Sequence, residues 1–212
     1  MNVGVLGSGQ VAQVLAAGFR KKGHAVTIGS RDPQKLAAFA AQEQVETADF
    51  GATARAAELV VLAVKGTAAL AALELVGADA LDGKIVIDTT NPIEEAAPER
   101  GVLRFFTGPN DSLMERLQTA YPKARFVKAW NSVGNAFMVD PDFNGATPTM
   151  FICGDDAAAK RVVSELLSSF GWESADMGSS VSARALEPLC QLWCAPGLLR
   201  GEWKHAFKLL RK

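Results

Sequence analysis

Histidine is nearly missing from this chain. Of 212 residues only His24 and His205 are histidine, one beginning an apolar run and one in a basic tail. In those places neither nominates a Ser-His-Asp set, and neither a zinc-ligand spacing nor a phosphate-loop lysine motif occurs. Cysteine is scarce too. Cys153, Cys190 and Cys194 are unevenly placed and make no disulfide framework, so a reducing, cytoplasmic setting is expected. Charge of one sign is lacking: 22 Lys and Arg against 23 Asp and Glu leave a net charge of −1, which argues against a nucleic-acid or anionic-membrane partner. No apolar run approaches the roughly 20 residues of a membrane span. Met1 leads straight into a strand-like run, without the charged and apolar regions of a signal peptide. What is present, 49% hydrophobic and 21% charged residues, suits a globular chain of one substantial domain plus at most a small lobe.

The most informative stretch is the first. Val3 to Leu6 drops into Gly7-Ser8-Gly9-Gln10-Val11-Ala12, the G-x-G-x-x-A form of the dinucleotide fingerprint. Val11, Val14, Leu15, Gly18 and Phe19 then recur at helical spacing, Lys21 and Lys22 suit the negative end of that helix, and Gly23 can stop it. Gly7 permits the tight turn and Gly9 the close approach of a pyrophosphate. Ala12 lets the helix lie near the strand, and phosphates would sit over the helix N-terminus.

The end of the second apolar run, His24 to Ile28, selects the cofactor. An NAD site usually carries an acidic residue about 20 residues beyond the glycines to bind the ribose 2′-hydroxyl. Here the place holds Ser30 followed by Arg31, a hydroxyl and a permanently charged donor fork that suit a 2′-phosphate. NADP is therefore expected over NAD. Asp32 and Pro33 read as the N-cap and first position of a helix over 34–42. Lys35, in that helix's first turn, is either a further 2′-phosphate ligand or a solvated lysine.

Strand and helix patterns continue to alternate. Leu59 to Val64 is a buried-strand run ending at Lys65-Gly66-Thr67, and Leu70, Leu73 and Val76 mark the next helix. Lys84 to Asp88 leads to Thr89-Thr90-Asn91-Pro92, 94–107 shows no period and reads as a loop, and Ser112 to Glu115 matches a capping box. Arg125 to Trp130 is a further strand, ending at Asn131-Ser132. The rhythm predicts an α/β fold: a Rossmann-type, doubly wound, mostly parallel sheet over 1–137, with a small C-terminal helical and strand lobe over 138–212. Ligands bind beyond the carboxyl ends of such strands, which nominates Lys65, Thr67, Asn91, Pro92 and Asn131.

In the last third, 138–148 reads as a surface connection, Thr149 to Cys153 as a strand and Val162 to Phe170 as a helix with Asp155 or Asp156 as its cap. Trp172 to Asp176 is another strand. A helix from Ser182 carries Leu186, Leu189, Cys190 and Trp193 on its apolar face, with Cys190 and Cys194 as buried apolar residues, and Pro196-Gly197 is expected to break it. An exposed apolar face here would suit a second subunit, so a homodimer is expected. No residue is nominated as an acid–base catalyst and none as a metal ligand. So spare a set suits positioning two ring systems for hydride transfer, in which the cofactor carries the chemistry.

The segments Gly23 to Pro33, Val127 to Gly134, Phe151 to Asp156 and Ala183 to Leu189 together resemble the NADPH-dependent reductases of the 8-hydroxy-5-deazaflavin coenzyme F-420 (F420). The chain is equally similar to stand-alone dinucleotide-binding proteins and to the oxidoreductase domain of membrane ferric reductases. That resemblance implies that Ser8, Gly9, Gln10 and Val11, after the Gly7 turn, hold the pyrophosphate, and that Ser30, Arg31 and Lys35 hold the 2′-phosphate. It places Val64, Lys65 and Ala68 beside adenosine and ribose, and Asn91, Pro92 and Asn131 to Asn135 beside the nicotinamide. The implied activity is hydride exchange between NADPH and a deazaflavin or flavin-like small-molecule acceptor. A flavin, ferric or imine reductase and a non-catalytic NADP(H) sensor are the alternatives.

Overall fold

Alternate residues of each central strand face opposite layers, and that period of two builds the whole domain. In the computed structural model, which describes residues 1–212, the run Leu59–Leu62 (β4) is buried throughout. Leu59 and Val61 join one apolar cluster, while Val60 and Leu62 join the other. Burial on both faces is the pattern of a parallel sheet with helices on each side, and β4 pairs in parallel with both of its neighbours.

The elements before it are β1 (Asn2–Leu6), α1 (Gln10–Lys21), β2 (Ala25–Gly29), α2 (Ala37–Glu43), β3 (Glu46–Ala48) and α3 (Phe50–Ala56). After it come α4 (Ala69–Val76), β5 (Ile85–Asp88), α5 (Leu113–Ala120) and β6 (Arg125–Lys128). The six strands are all parallel, in the order β3-β2-β1-β4-β5-β6. Chain order reverses between β1 and β4, and that switch point opens a crevice at the carboxyl ends. No helix is long and apolar enough to cross a membrane.

The C-terminal part contributes β7 (Thr149–Ile152), α6 (Ala157–Ser169), β8 (Glu173–Asp176), α7 (Ala183–Leu186) and α8 (Pro188–Arg200). β7 and β8 form a parallel pair, tied to β6 through an antiparallel bridge in which Lys128 N–H donates to the Cys153 carbonyl at 2.9 Å. Met150, Ile152, Val163, Leu167 and Phe170 share one apolar cluster with Leu15 and Phe19 of α1. Trp130, at φ 56°, is buried there against Phe19 and Phe170. Each such buried large apolar side chain is worth about 1.5–3 kcal/mol relative to exposure.

Local signals set several boundaries as expected. Ser112 Oγ accepts the Glu115 N–H at 3.2 Å and donates to its carboxylate at 2.7 Å, closing the capping box of α5. Asp156 caps α6 by accepting the Ala159 N–H at 2.7 Å. Three readings need correction. Pro196 does not break α8, which runs on to Arg200 and stops at the left-handed Gly201. Proline removes only the bond to the Leu192 carbonyl, and Leu192 is well exposed, so water can take that place. Asp32 makes no side-chain cap; it pairs with Lys35 at 3.5 Å, and Pro33–Leu36 is a 3-10 turn ahead of α2. Cys190 is buried, but Cys194 is only half-buried.

Candidate functional site

The crevice starts at the turn from β1 into α1. Gly7 sits at φ +140°, and a Cβ there would lie 2.2 Å from the Ala63 carbonyl oxygen, so no other residue fits between β1 and β4. Its N–H donates to the Gly29 carbonyl at 2.9 Å, which draws the ends of β1 and β2 together. Gly9 is the N-cap of α1 and offers no side chain to its first N–H groups, and the first turn has no acidic residue. A Cβ on Gly9 would meet no atom within 4 Å; the space beside it is open. Unpaired N–H groups and the helix dipole there favour an anion.

On the β2 side lies a cavity of about 360 Å³, bounded by Gly7, Ser8, Gly9, Ser30, Arg31 and Lys35 and closed by Val64, Lys65, Ala68 and Leu75. Ser30 is buried, and its Oγ accepts the Asp32 N–H at 3.1 Å. Arg31 is exposed and lines this cavity without any ion pair or hydrogen bond in the structure, so its donor fork is free. Lys35 also faces the cavity, its charge shared with Asp32.

On the other side, past Gly9, Val64 and Lys65, opens a second cavity of about 660 Å³. Gln10, Val11, Thr67, Thr89, Thr90 and Asn91 line it, and Glu94 and Glu95 come from the segment after β5. Lys65 pairs with Glu95 at 3.0 Å across the mouth. Both are largely exposed, so the contact adds little stability and can open.

Behind this second cavity stands a buried polar network. Asp88 Oδ1 accepts the Thr90 N–H at 2.9 Å and the Thr90 hydroxyl at 2.6 Å. Lys128, fully buried, lies 2.6 Å from Asp88 and 2.9 Å from Glu187, and donates to the Thr90 carbonyl at 2.9 Å. Burial alone would lower the lysine pKa, but Asp88 and Glu187 outweigh it and hold the ammonium above its usual range. Glu187 also accepts the N–H groups of Leu113 and Met114 at 2.9 and 3.0 Å, filling the N-terminus of α5. Asn131 donates to the Asn91 side chain at 3.1 Å and to the Leu186 carbonyl at 2.9 Å, and Asn91 donates back to the Asn131 carbonyl at 2.7 Å. The nearby Cys153 thiol is pushed up to about 12 by burial, which makes it unreactive.

The structure thus brings most of the nominated residues together. Gly7, Ser8, Gly9, Gln10, Val11, Ser30, Arg31, Lys35, Val64, Lys65, Ala68 and Asn91 all line one or both cavities. Three do not. Pro92 is buried behind the wall, Asn131 is buried one layer back where it holds Asn91, and Asn135 lies in the turn after β6. Sequence reading omits Phe50, Leu75 and Glu94, which are also on the walls. The Asp49 cap, accepting the Ala52 N–H at 2.7 Å, is the local signal that would have placed Phe50 at a helix start. No cluster of three His, Cys, Asp or Glu side chains is placed to hold a metal ion. A separate cavity beside Arg20, His24 and Glu46 lies at the opposite, amino-terminal edge of the sheet, away from these groups.

Comparison with known proteins gives a consistent result. Residues 2–92 match the family described as NADP oxidoreductase, coenzyme F420-dependent. The F420-dependent NADP reductase of Methanothermobacter marburgensis is 31% identical over 207 residues, covering 91% of this chain and 90% of that protein. The metalloreductase STEAP3 of Rattus norvegicus is 33% identical over 202 residues; this covers 93% of the chain, which spans only 38% of that longer protein. A solved structure from Arthrobacter sp. FB24, described as that of an F420-dependent NADP reductase not yet confirmed as one, superposes with a TM-score of 0.93 at 35% identity over the whole of both chains. An imine reductase from Aspergillus terreus shares the fold, with a TM-score of 0.68 at 19% identity over 94% of this chain and 63% of that one.

Proposed function

Because the chain belongs to the coenzyme F420-dependent NADP oxidoreductase family, we propose that it transfers a hydride between NADPH and a deazaflavin or flavin-like acceptor. The observation that carries this reading is a pair of adjoining cavities that share Gly9, Ala63, Val64 and Lys65 and are chemically different. A free guanidinium, Arg31, stands beside buried Ser30 at one end, and a wall of Thr90 and Asn91 stands at the other. The residues fit the dinucleotide on three counts: the open space at Gly9, the uncapped α1 N-terminus, and a cation with no internal partner.

When bound, the nicotinamide supplies the hydride. The chain's own residues supply position. Gly9, Gln10 and Val11 take the pyrophosphate on backbone N–H groups, and Ser30 and Arg31 take the 2′-phosphate. Thr90 and Asn91 form a surface for the reacting ring, beside the apolar side chains of Val11, Val64 and Ile93.

The test is stopped-flow mixing of NADPH with oxidised deazaflavin, a flavin, a ferric chelate and a cyclic imine. Fast loss of the oxidised deazaflavin absorbance is the expected result; no reaction with any acceptor would replace catalysis by NADP(H) sensing. A second reading, reduction of a ferric chelate, is favoured by the 33% identity to a metalloreductase. It would prevail if the ferric chelate alone were reduced.

A further inference from the structure

Two consecutive residues of the cleft wall are held by two consecutive residues far along the chain. Thr90 is tied to Glu187 through Lys128, whose ammonium donates to the Thr90 carbonyl at 2.9 Å and lies 2.9 Å from the Glu187 carboxylate. Asn91 is tied to Leu186 through Asn131, whose amide donates to the Asn91 side chain at 3.1 Å and to the Leu186 carbonyl at 2.9 Å. The two ties run side by side, from β5 across the end of β6 to the junction of α7 and α8.

Neither tie is a casual surface contact. Lys128, Glu187 and Asn131 are exposed by 0%, 1% and 4%. Asn131 makes its two donations while leaving its own Oδ1 buried with no partner. A buried acceptor without a partner is costly, so a side chain kept for general packing would be better replaced by an apolar one. Burying a lysine between two carboxylates is likewise poor for stability compared with an apolar replacement, and its use needs a reason of specificity. The shared endpoint supplies one: both ties end on Thr90 and Asn91, the wall of the second cavity, and neither touches the Ser30–Arg31 end.

We propose that Lys128, Asn131 and Glu187 are positioning residues that fix the Thr90–Asn91 wall against the nicotinamide ring, so that the C-terminal segment at Leu186–Glu187 sets how the ring is presented to the acceptor. This rests on the assignment of that wall to the nicotinamide end. The prediction is specific to one half of the ligand. Loosening either tie disturbs the ring and leaves the adenosine half as it was.

The experiment uses the whole protein with Asn131→Asp and Glu187→Gln, each nearly isosteric with the native side chain and each acting on a different tie. Affinity is measured for NADPH and for adenosine 2′,5′-bisphosphate, which lacks the ring, together with the emission spectrum of bound NADPH and the separate values of kcat and KM. Expected is a loss of about tenfold or more in kcat and a shifted NADPH emission, because misplacement of about an ångström is enough for such effects. The affinity for the bisphosphate should stay within about twofold, since truncating a group that a ligand does not touch leaves its binding nearly unchanged. Equal losses for both ligands, no change in kcat or emission, or failure of both variants to fold would overturn the positioning role. A wild-type protein that binds neither ligand would instead overturn the cleft assignment beneath it.

Discussion

The two ends of the cleft are built in opposite ways. At the end lined by Ser30 and Arg31 the polar groups belong to short local motifs: a glycine turn, an uncapped helix start, and the two residues that follow one strand. Arg31 is exposed and unpaired, waiting for charge from outside. At the end lined by Thr90 and Asn91 the wall is fixed from within, by buried groups drawn from β5, β6 and the α7–α8 junction. On the function proposed above, the first end would recognise the cofactor and the second would position its ring. Stability and affinity should therefore respond to different residues.

The largest effect separates them at once. Lys128→Met leaves Asp88 and Glu187 buried without their cation, and breaking one partner from a buried pair costs about 3–5 kcal/mol. Urea unfolding should show that loss, while Arg31→Ala leaves the midpoint unchanged; a cost below about 1 kcal/mol for Lys128→Met would mean that the network is not load-sharing with the fold. Next in size, Arg31→Ala should weaken NADPH binding by about 1.5–3 kcal/mol, the worth of a charge-assisted contact, and leave NADH binding alone. Titration of both cofactors checks this, and equal losses would remove Arg31 from the 2′-phosphate site.

Smaller still is Ser112→Ala, which removes the cap of α5. Loss of such a cap typically costs about 1 kcal/mol. Glu187 already occupies the Leu113 and Met114 N–H groups, so a value at the low end in thermal unfolding is expected. If Glu187→Gln is made first, the same Ser112 substitution should cost more. The least effect concerns acid. Hydrogen bonding to Arg184 holds the Glu115 carboxyl below its usual value of 4.5. A carboxyl with a lowered folded pKa adds stability above the unfolded value, and that share is lost as pH falls through the folded one. Glu115→Gln should flatten the acid limb of stability below about pH 4.5, and an unchanged limb would show the pair to be too well solvated to matter.

The same contrast explains what could be read in advance. The glycine turn, α1, Ser30 and Arg31 lie within a few residues of one another, and strand runs such as Leu59 to Leu62 announce burial on both faces. β3 is only Glu46–Ala48, an edge strand without apolar alternation, and α3 contains Gly51 and Thr53, both poor helix formers. Neither stands out in composition. The triad of Asp88, Lys128 and Glu187 joins residues far apart in the chain, and nothing local marks a strand-end lysine as buried. Asn131 belongs to a wall-side loop by sequence and to the layer behind it by packing. Pro196 misleads because a tertiary contact outweighs its local preference: a Cβ on the adjacent Gly197 would lie 2.3 Å from Trp203, so the tail packs tightly on that turn of α8.

A crystal structure of the protein with NADP+ bound tests the central claim most directly. The adenosine 2′-phosphate should lie within hydrogen-bond distance of Ser30 and the Arg31 guanidinium, with the nicotinamide against Thr90 and Asn91. A 2′-phosphate pointing into solvent, or a ring placed away from that wall, would contradict it.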